Sequence, residues 1–164
     1  MKIIYHCYGG SHSSVTAAAI HLGLFPGGQL PILADFMNIP YFDHQVAEEH
    51  GVFRFMGTDA DGHEVYVIGR RNLKNFEPLV RGLAELMGVP QDDLLLVNTM
   101  PCVNWVMMVG GYISRRLKIV GLGRPIVVHG TRQAFLLFSG LVDQVKTVLV
   151  GKPVPPSACG GDKL

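Results

Sequence analysis

Lys2 to His6 is a short, mostly apolar run that stops at Cys7-Tyr-Gly-Gly-Ser-His-Ser-Ser14, and Val15 to Leu22 follows with three consecutive alanines. A run of strand length, a glycine turn and a helix-forming segment predict strand, loop, helix. The same order recurs twice. Leu94 to Val97 leads through Asn98-Thr-Met-Pro-Cys-Val-Asn104 into Trp105 to Leu117, and Pro125 to Val128 leads through His129-Gly-Thr-Arg132 into Ala134 to Leu149. Three strand-to-helix units predict a parallel sheet. Between them, Val52 to Met56 and Glu64 to Ile68 flank Thr58-Asp-Ala-Asp-Gly62, whose Asp-Gly pair favours a tight turn and so a hairpin. Phe76, Leu79, Val80, Leu83 and Leu86 recur at helical spacing within Leu73 to Met87, which predicts an amphipathic helix on the sheet despite Pro78 in its first turns. Phe25 to Asp43, with three prolines and two adjacent glycines, reads as a long connection with at most a short helix.

The fold class these elements predict is an α/β three-layer sandwich with a mostly parallel sheet and one antiparallel hairpin. Residues 1–151 form a single domain, and the proline- and glycine-rich residues 152–164 a flexible tail whose Cys159 is not a catalytic candidate. Composition narrows the function more than the fold. Fourteen Lys and Arg against thirteen Asp and Glu leave a net charge of +1, so no global positive field holds a nucleic acid or an anionic membrane. Any anion site must be local. Mean hydropathy is +0.28, yet the most apolar stretch, Leu94 to Ile113, is interrupted by Asn98, Pro101 and Asn104 and does not predict a membrane span. The N-terminal residues lack the pattern of a signal peptide, which points to the cytoplasm. Three cysteines, Cys7, Cys102 and Cys159, are too few and too scattered for a disulfide framework.

In an open parallel sheet, ligands bind beyond the carboxyl ends of the strands, where loops and helix N-termini converge. The first loop carries the strongest signal. Gly9 and Gly10 let successive backbone N–H groups face one point, the following helix adds its positive end, and Ser11, Ser13 and Ser14 supply hydroxyl donors. That combination suits a phosphate-bearing or other small anionic ligand. Cys7, facing the same field, is the candidate nucleophile, with His12 as its catalytic partner. A plain glycine turn with a buried Cys7 and a serine-capped helix is the competing reading. Asn98 and Asn104 from the second loop and His129 and Arg132 from the third complete the expected ligand set. Arg70 of the Arg70-Arg71 pair is a further candidate clamp. Arg115-Arg116, late in a helix, reads as a pair meeting the helix dipole.

The layout Cys7, Gly10, Ser11, Ser13, Ser14 resembles the phosphocysteine loop of phosphotransferase-system IIB domains. It is also similar to the low-molecular-weight tyrosine phosphatases, which need an arginine six positions after the cysteine. Ser13 occupies that position here, so such chemistry requires Arg132 or another arginine from elsewhere. A resemblance spanning nearly the whole chain rests on Tyr5-His-Cys-Tyr-Gly-Gly-Ser-His-Ser-Ser14, Phe55-Met-Gly-Thr-Asp59, Tyr66-Val-Ile-Gly-Arg-Arg71, Val97-Asn-Thr-Met-Pro-Cys-Val-Asn-Trp105 and Ser114-Arg-Arg116. These strings resemble an uncharacterised bacterial domain-of-unknown-function family, 3189, found mainly in spore-forming bacteria, which implies a small cytoplasmic protein and no assigned activity.

His6, Cys7, His12, Cys102 and His129 offer nitrogen and sulfur ligands, but their spacing matches no zinc motif, so no metal is expected and no cofactor is named. Asp43-His44 reads as an exposed loop pair rather than an acid/base pair over the site. Met100, Met107, Met108 and Trp105 read as core, with a partner surface as the alternative. Gly110-Gly111 predicts close backbone packing against a strand, a helix or a second subunit, which admits a homo-oligomer. The leading expectation is therefore a small-anion site with phosphoryl or acyl transfer through Cys7. A non-catalytic sensor or interaction module is the alternative.

Overall fold

The computed structural model describes residues 1–44 and 50–151; the expected tail at 152–164, with Cys159, lies outside the described residues. A single four-stranded sheet has the order β2–β3–β1–β4. β1 (Lys2–Cys7) lies between β3 (Glu64–Gly69) and β4 (Leu94–Asn98) and is parallel to both. β2 (Arg54–Thr58) is antiparallel to β3, so the hairpin read from the Asp-Gly turn is present, with a bulge between Phe55 and Gly57.

Successive strand residues face opposite sides, and both sides are covered. Ile3, Tyr5, Val65, Val67 and Val97 point into the larger core with Val15 and the alanines of α1 (Ser13–His21) and with Phe138 and Val142 of α6 (Phe135–Leu149). Ile4, Ile68, Leu94 and Leu96 point the other way, against Phe76 and Val80 of α3 (Phe76–Leu86). The mostly parallel α/β sandwich is thus the observed fold. The long connection holds one short helix, α2 (Leu33–Asn38). Among the described residues, no helix is long and apolar enough to cross a membrane.

The third strand-to-helix unit does not exist. Pro125 to Arg132 lies inside α5 (Val120–Gln133), and the third parallel strand is β3 of the hairpin. Tertiary packing overrides the β preference of Ile126-Val127-Val128. α4 (Trp105–Gly111) and α5 touch backbone to backbone: a Cβ on Gly110 would stand 2.3 Å from the Val127 nitrogen, and one on Gly130 would stand 2.6 Å from the Met107 nitrogen. The close packing expected of Gly110 is therefore helix against helix. Asn104 strengthens the pair, because its Oδ1 accepts from the Met107 N–H at 2.9 Å as the α4 cap while its Nδ2 donates to the Gly130 carbonyl at 2.8 Å. Of the expected apolar cluster, Met107 is core, but Trp105 and Met108 are exposed, at 73% and 63%.

Candidate functional site

β1 ends at Cys7, and the turn that follows wraps around its sulfur. Gly10, in the left-handed region at φ 74°, donates its N–H to Cys7 Sγ at 3.0 Å, and Ser14 Oγ stands 3.3 Å from the same atom. Cys7 is a free thiol, 4% exposed. The turn is held from β3 by backbone bonds from Arg70 N–H to the Cys7 carbonyl and from Arg71 N–H to the Tyr8 carbonyl, both 2.9 Å. Gly69 permits this approach, because a Cβ there would lie 2.5 Å from the Gly9 carbonyl oxygen. The second loop reaches the same place. Thr99 Oγ1 contacts the His6 carbonyl at 3.2 Å and Ser13 Oγ at 3.1 Å, and its N–H donates to the His6 carbonyl at 3.0 Å. The first two strand-to-helix loops therefore meet at adjacent carboxyl ends, those of β1 and β4.

His12 occupies the N-cap position of α1 without a side-chain cap bond. Its Nε2 instead meets Asp43 Oδ1 at 3.0 Å. Asp43 is buried and is met from two further parts of the chain: Ser114 Oγ donates at 2.9 and 3.1 Å, Arg124 Nε donates at 2.9 Å, and Arg115 is ion-paired with its Nε 2.8 Å from Oδ1. Its own N–H donates to the Ser11 carbonyl at 3.0 Å, which ties it to the first loop. Burial alone would raise the Asp43 carboxyl, but the hydrogen bonds from His12 and Arg124, with the charges of His12 and Arg115, hold it far below the ordinary carboxylate range. Since a carboxylate only accepts, His12 Nε2 carries the hydrogen of this contact.

This centre corrects the exposed-pair reading of Asp43; His44 beside it is exposed as expected. It also corrects the reading of Arg115 as a cation that merely meets a helix dipole. A π-type turn over Tyr112–Arg116 continues α4 and aims both Ser114 and Arg115 at Asp43, a re-aiming that an extra residue per turn achieves. Arg124 and Ser114 are not among the ligand candidates that the sequence offers. No local motif marks them, since they join Asp43 across 81 and 71 residues.

Other expected site residues are spent on the scaffold or lie aside. Ser13 and Ser14 point at Thr99 and Cys7, and Ser11 is buried. Asn98 Oδ1 accepts from the Met100 N–H at 3.1 Å, and Asn104 caps α4. His129 and Arg132 stand on α5 beside Leu33 and Pro125, with His129 Nε2 3.2 Å from Gln133 Nε2, rather than in a loop over Cys7. Arg70 donates from Nη1 to the Leu73 carbonyl at 3.2 Å. It also acts on His6, which is buried on the α3 side with its ring centroid 4.7 Å from that of Phe76 and Nε2 3.2 Å from Glu77 Oε1. Burial first, then the Arg70 charge, lowers His6 to about 4.

A second polar chain runs through the opposite edge of the sheet. The Tyr5 hydroxyl meets His21 Nδ1 at 2.8 Å, His21 Nε2 meets Asp59 Oδ2 at 2.9 Å, and His63 Nδ1 meets the same oxygen at 3.0 Å. Asp59 Oδ1 accepts the N–H groups of Asp61 and His63. Burial raises Asp59, but His21 and His63 outweigh it and hold the carboxyl well below its usual range. Burial lowers His21 against the pull of Asp59, so the neutral ring accepts from Tyr5 and donates to Asp59. Asp59, Asp61 and His63 bring one ligand atom each within 4.8 Å of one another, and none of the metal candidates taken from the sequence belongs to this group. Its Asp59 oxygens already accept four hydrogen bonds, which accounts for the arrangement without an ion.

Neither the curated proteins nor the solved structures contain a match to the chain. The family model described as "Protein of unknown function (DUF3189)" matches residues 2–147, from the first residue of β1 to the last turn of α6, and the chain belongs to that family.

Proposed function

We propose that the chain binds a small anionic ligand, phosphate-bearing in the leading reading, at the loop between β1 and α1, and that Cys7 takes part in phosphoryl or acyl transfer there. The supporting observation is the turn that closes around a free thiol at the end of the central strand, with the Gly10 N–H at 3.0 Å from Sγ and an α1 N-terminus that no side chain caps. Backbone donors and a helix pole favour negative charge at that point. In a transfer step the Cys7 sulfur would form the bond to phosphorus or to the acyl carbon as the bond to the leaving oxygen breaks. An acceptor hydroxyl or water would then take the group and restore the thiol, with His12 proposed as the base for the proton. Such a thiol needs reducing surroundings, so the compartment we propose is the cytoplasm. The near-balanced net charge supports no nucleic acid partner.

Calorimetric titration with phosphorylated metabolites, beside a turnover assay on whichever binds, tests this reading. Cys7→Ser should keep affinity and lose turnover, while Gly10→Val should lose affinity by blocking the turn. A folded Gly10→Val that binds like the parent reduces the motif to a tight turn. The second reading is a non-catalytic sensor or interaction module, homo-oligomer included, and the exposed Trp105 and Met108 on α4 favour it. That module would retain its whole function in Cys7→Ser.

A further inference from the structure

We propose that the chain forms a twofold-symmetric homodimer through the exposed apolar stripe of α3. Leu79, Leu83, Leu86 and Met87 recur at the spacing of one helix face beside Phe76 and Val80. Of these six, only Phe76 and Val80 are buried against the sheet. Leu79 and Leu83 remain 50% exposed, Leu86 85% and Met87 79%, and the three leucines line a groove of about 550 Å³. The width of the sheet explains the shortfall. Four strands at about 4.8 Å spacing span roughly 15–20 Å, whereas one helix covers about 10 Å. Among the described residues, the smaller core takes its helical side chains from α3 alone. Phe55 of the hairpin, whose ring centroid lies 5.4 Å from that of Tyr66 beside this core, stays exposed. A second helix laid beside α3 would complete that layer.

The charges on α3 select a second copy as the occupant. In an antiparallel helix pair on a twofold axis through Leu83, that leucine meets its own copy, Leu79 faces Met87 of the second copy, and Arg81 faces Glu85 of the second copy. Leu86 then falls between Leu79 and Leu83 of the second copy, in the groove they line. Each contact occurs twice, so opposite charges pair across the axis instead of repelling. A net charge of +1 leaves little repulsion between whole copies. The four apolar side chains expose on the order of 450 Å², a patch of functional size and about half of the roughly 800 Å² that each partner gives to a standard interface. Pro78 and Glu85 on the rim of the groove, with Arg81, extend it. The contact requires neither the anion site at the β1–α1 loop nor the Trp105 surface on α4.

The test is sedimentation velocity of the full chain from about 1 μM to about 1 mM. The parent should move from the 17.9 kDa mass of the chain to twice that value as the concentration rises. Leu83→Arg changes a half-exposed position to another good helix former and sets two cations against each other on the axis. It should raise the dissociation constant at least about thirtyfold while the helical circular dichroism signal is retained. Glu85→Arg should weaken association about tenfold, and Arg81→Glu added in the same chain should restore it. A parent that stays monomeric at about 1 mM overturns the proposal and leaves the stripe to another protein. A dimer that Trp105→Ser dissociates and Leu83→Arg leaves intact moves the contact to α4 and overturns it equally. Failure of Arg81→Glu to rescue Glu85→Arg overturns the twofold register through Leu83.

Discussion

His12 Nε2 and Asp43 Oδ1 meet at 3.0 Å although 31 residues separate them, and that contact joins the cap of α1 to the far end of the long connection. The carboxylate at its centre accepts from a serine, an imidazole and Arg124 and is ion-paired with Arg115. Removing it takes the acceptor from three donors and a counter-charge from Arg115.

Asp43→Ala should therefore lower unfolding free energy by about 3 kcal/mol, the scale for breaking a buried ion pair by deleting one partner. Asp43→Asn should lose less, because one acceptor oxygen remains. Urea unfolding measures both as a fall in midpoint at unchanged slope. An Asp43→Ala midpoint equal to the parent's would mean that the cluster is solvated rather than structural.

Acid should destabilise the fold in two windows. The lowered carboxyls of Asp43 and Asp59 contribute stability that is present above their ordinary value of 3.8 and is lost as the pH falls below it. His6 acts earlier. The unfolded chain takes up a proton near 6.5 and the folded chain only near 4, so stability declines as the pH drops between those values, by at most about 3 kcal/mol. His21 is shifted in the same direction. His6→Phe, which retains an aromatic contact to Phe76, should flatten the decline without abolishing it. Unfolding midpoints taken from pH 7 to pH 4 would show this, and an unaltered slope in His6→Phe would exclude His6 as its source.

Two glycine-to-alanine changes should have opposite signs. At Gly110 the new methyl would stand 2.3 Å from the Val127 nitrogen, forcing α4 and α5 apart at a cost of about 1–3 kcal/mol. At Gly82 in α3 nothing lies within 4 Å of the new Cβ, and alanine should add about 0.5–1 kcal/mol. Thermal melts of the two variants check the pair. Equal effects would show that helix propensity, not contact, governs both positions.

The chain by itself determined β1, its glycine turn, α1, the hairpin and the amphipathic α3. In each of these the burial period, the turn residues and the local propensity agree within some twenty residues, so a local pattern is enough. It also singled out Cys7 and Gly10, because a cysteine before a double glycine at a strand end is a local feature. Only the tertiary structure decided two other matters. Ile126-Val127-Val128 became helix because Gly110 and Gly130 let two backbones touch, a condition set by residues on both partners. Asp43, Ser114, Arg115 and Arg124 became one polar centre because burial of a carboxylate demands donors from wherever the fold can bring them. Such a demand leaves no spacing in the sequence. Its partners are chosen by packing, across 71 and 81 residues of intervening chain.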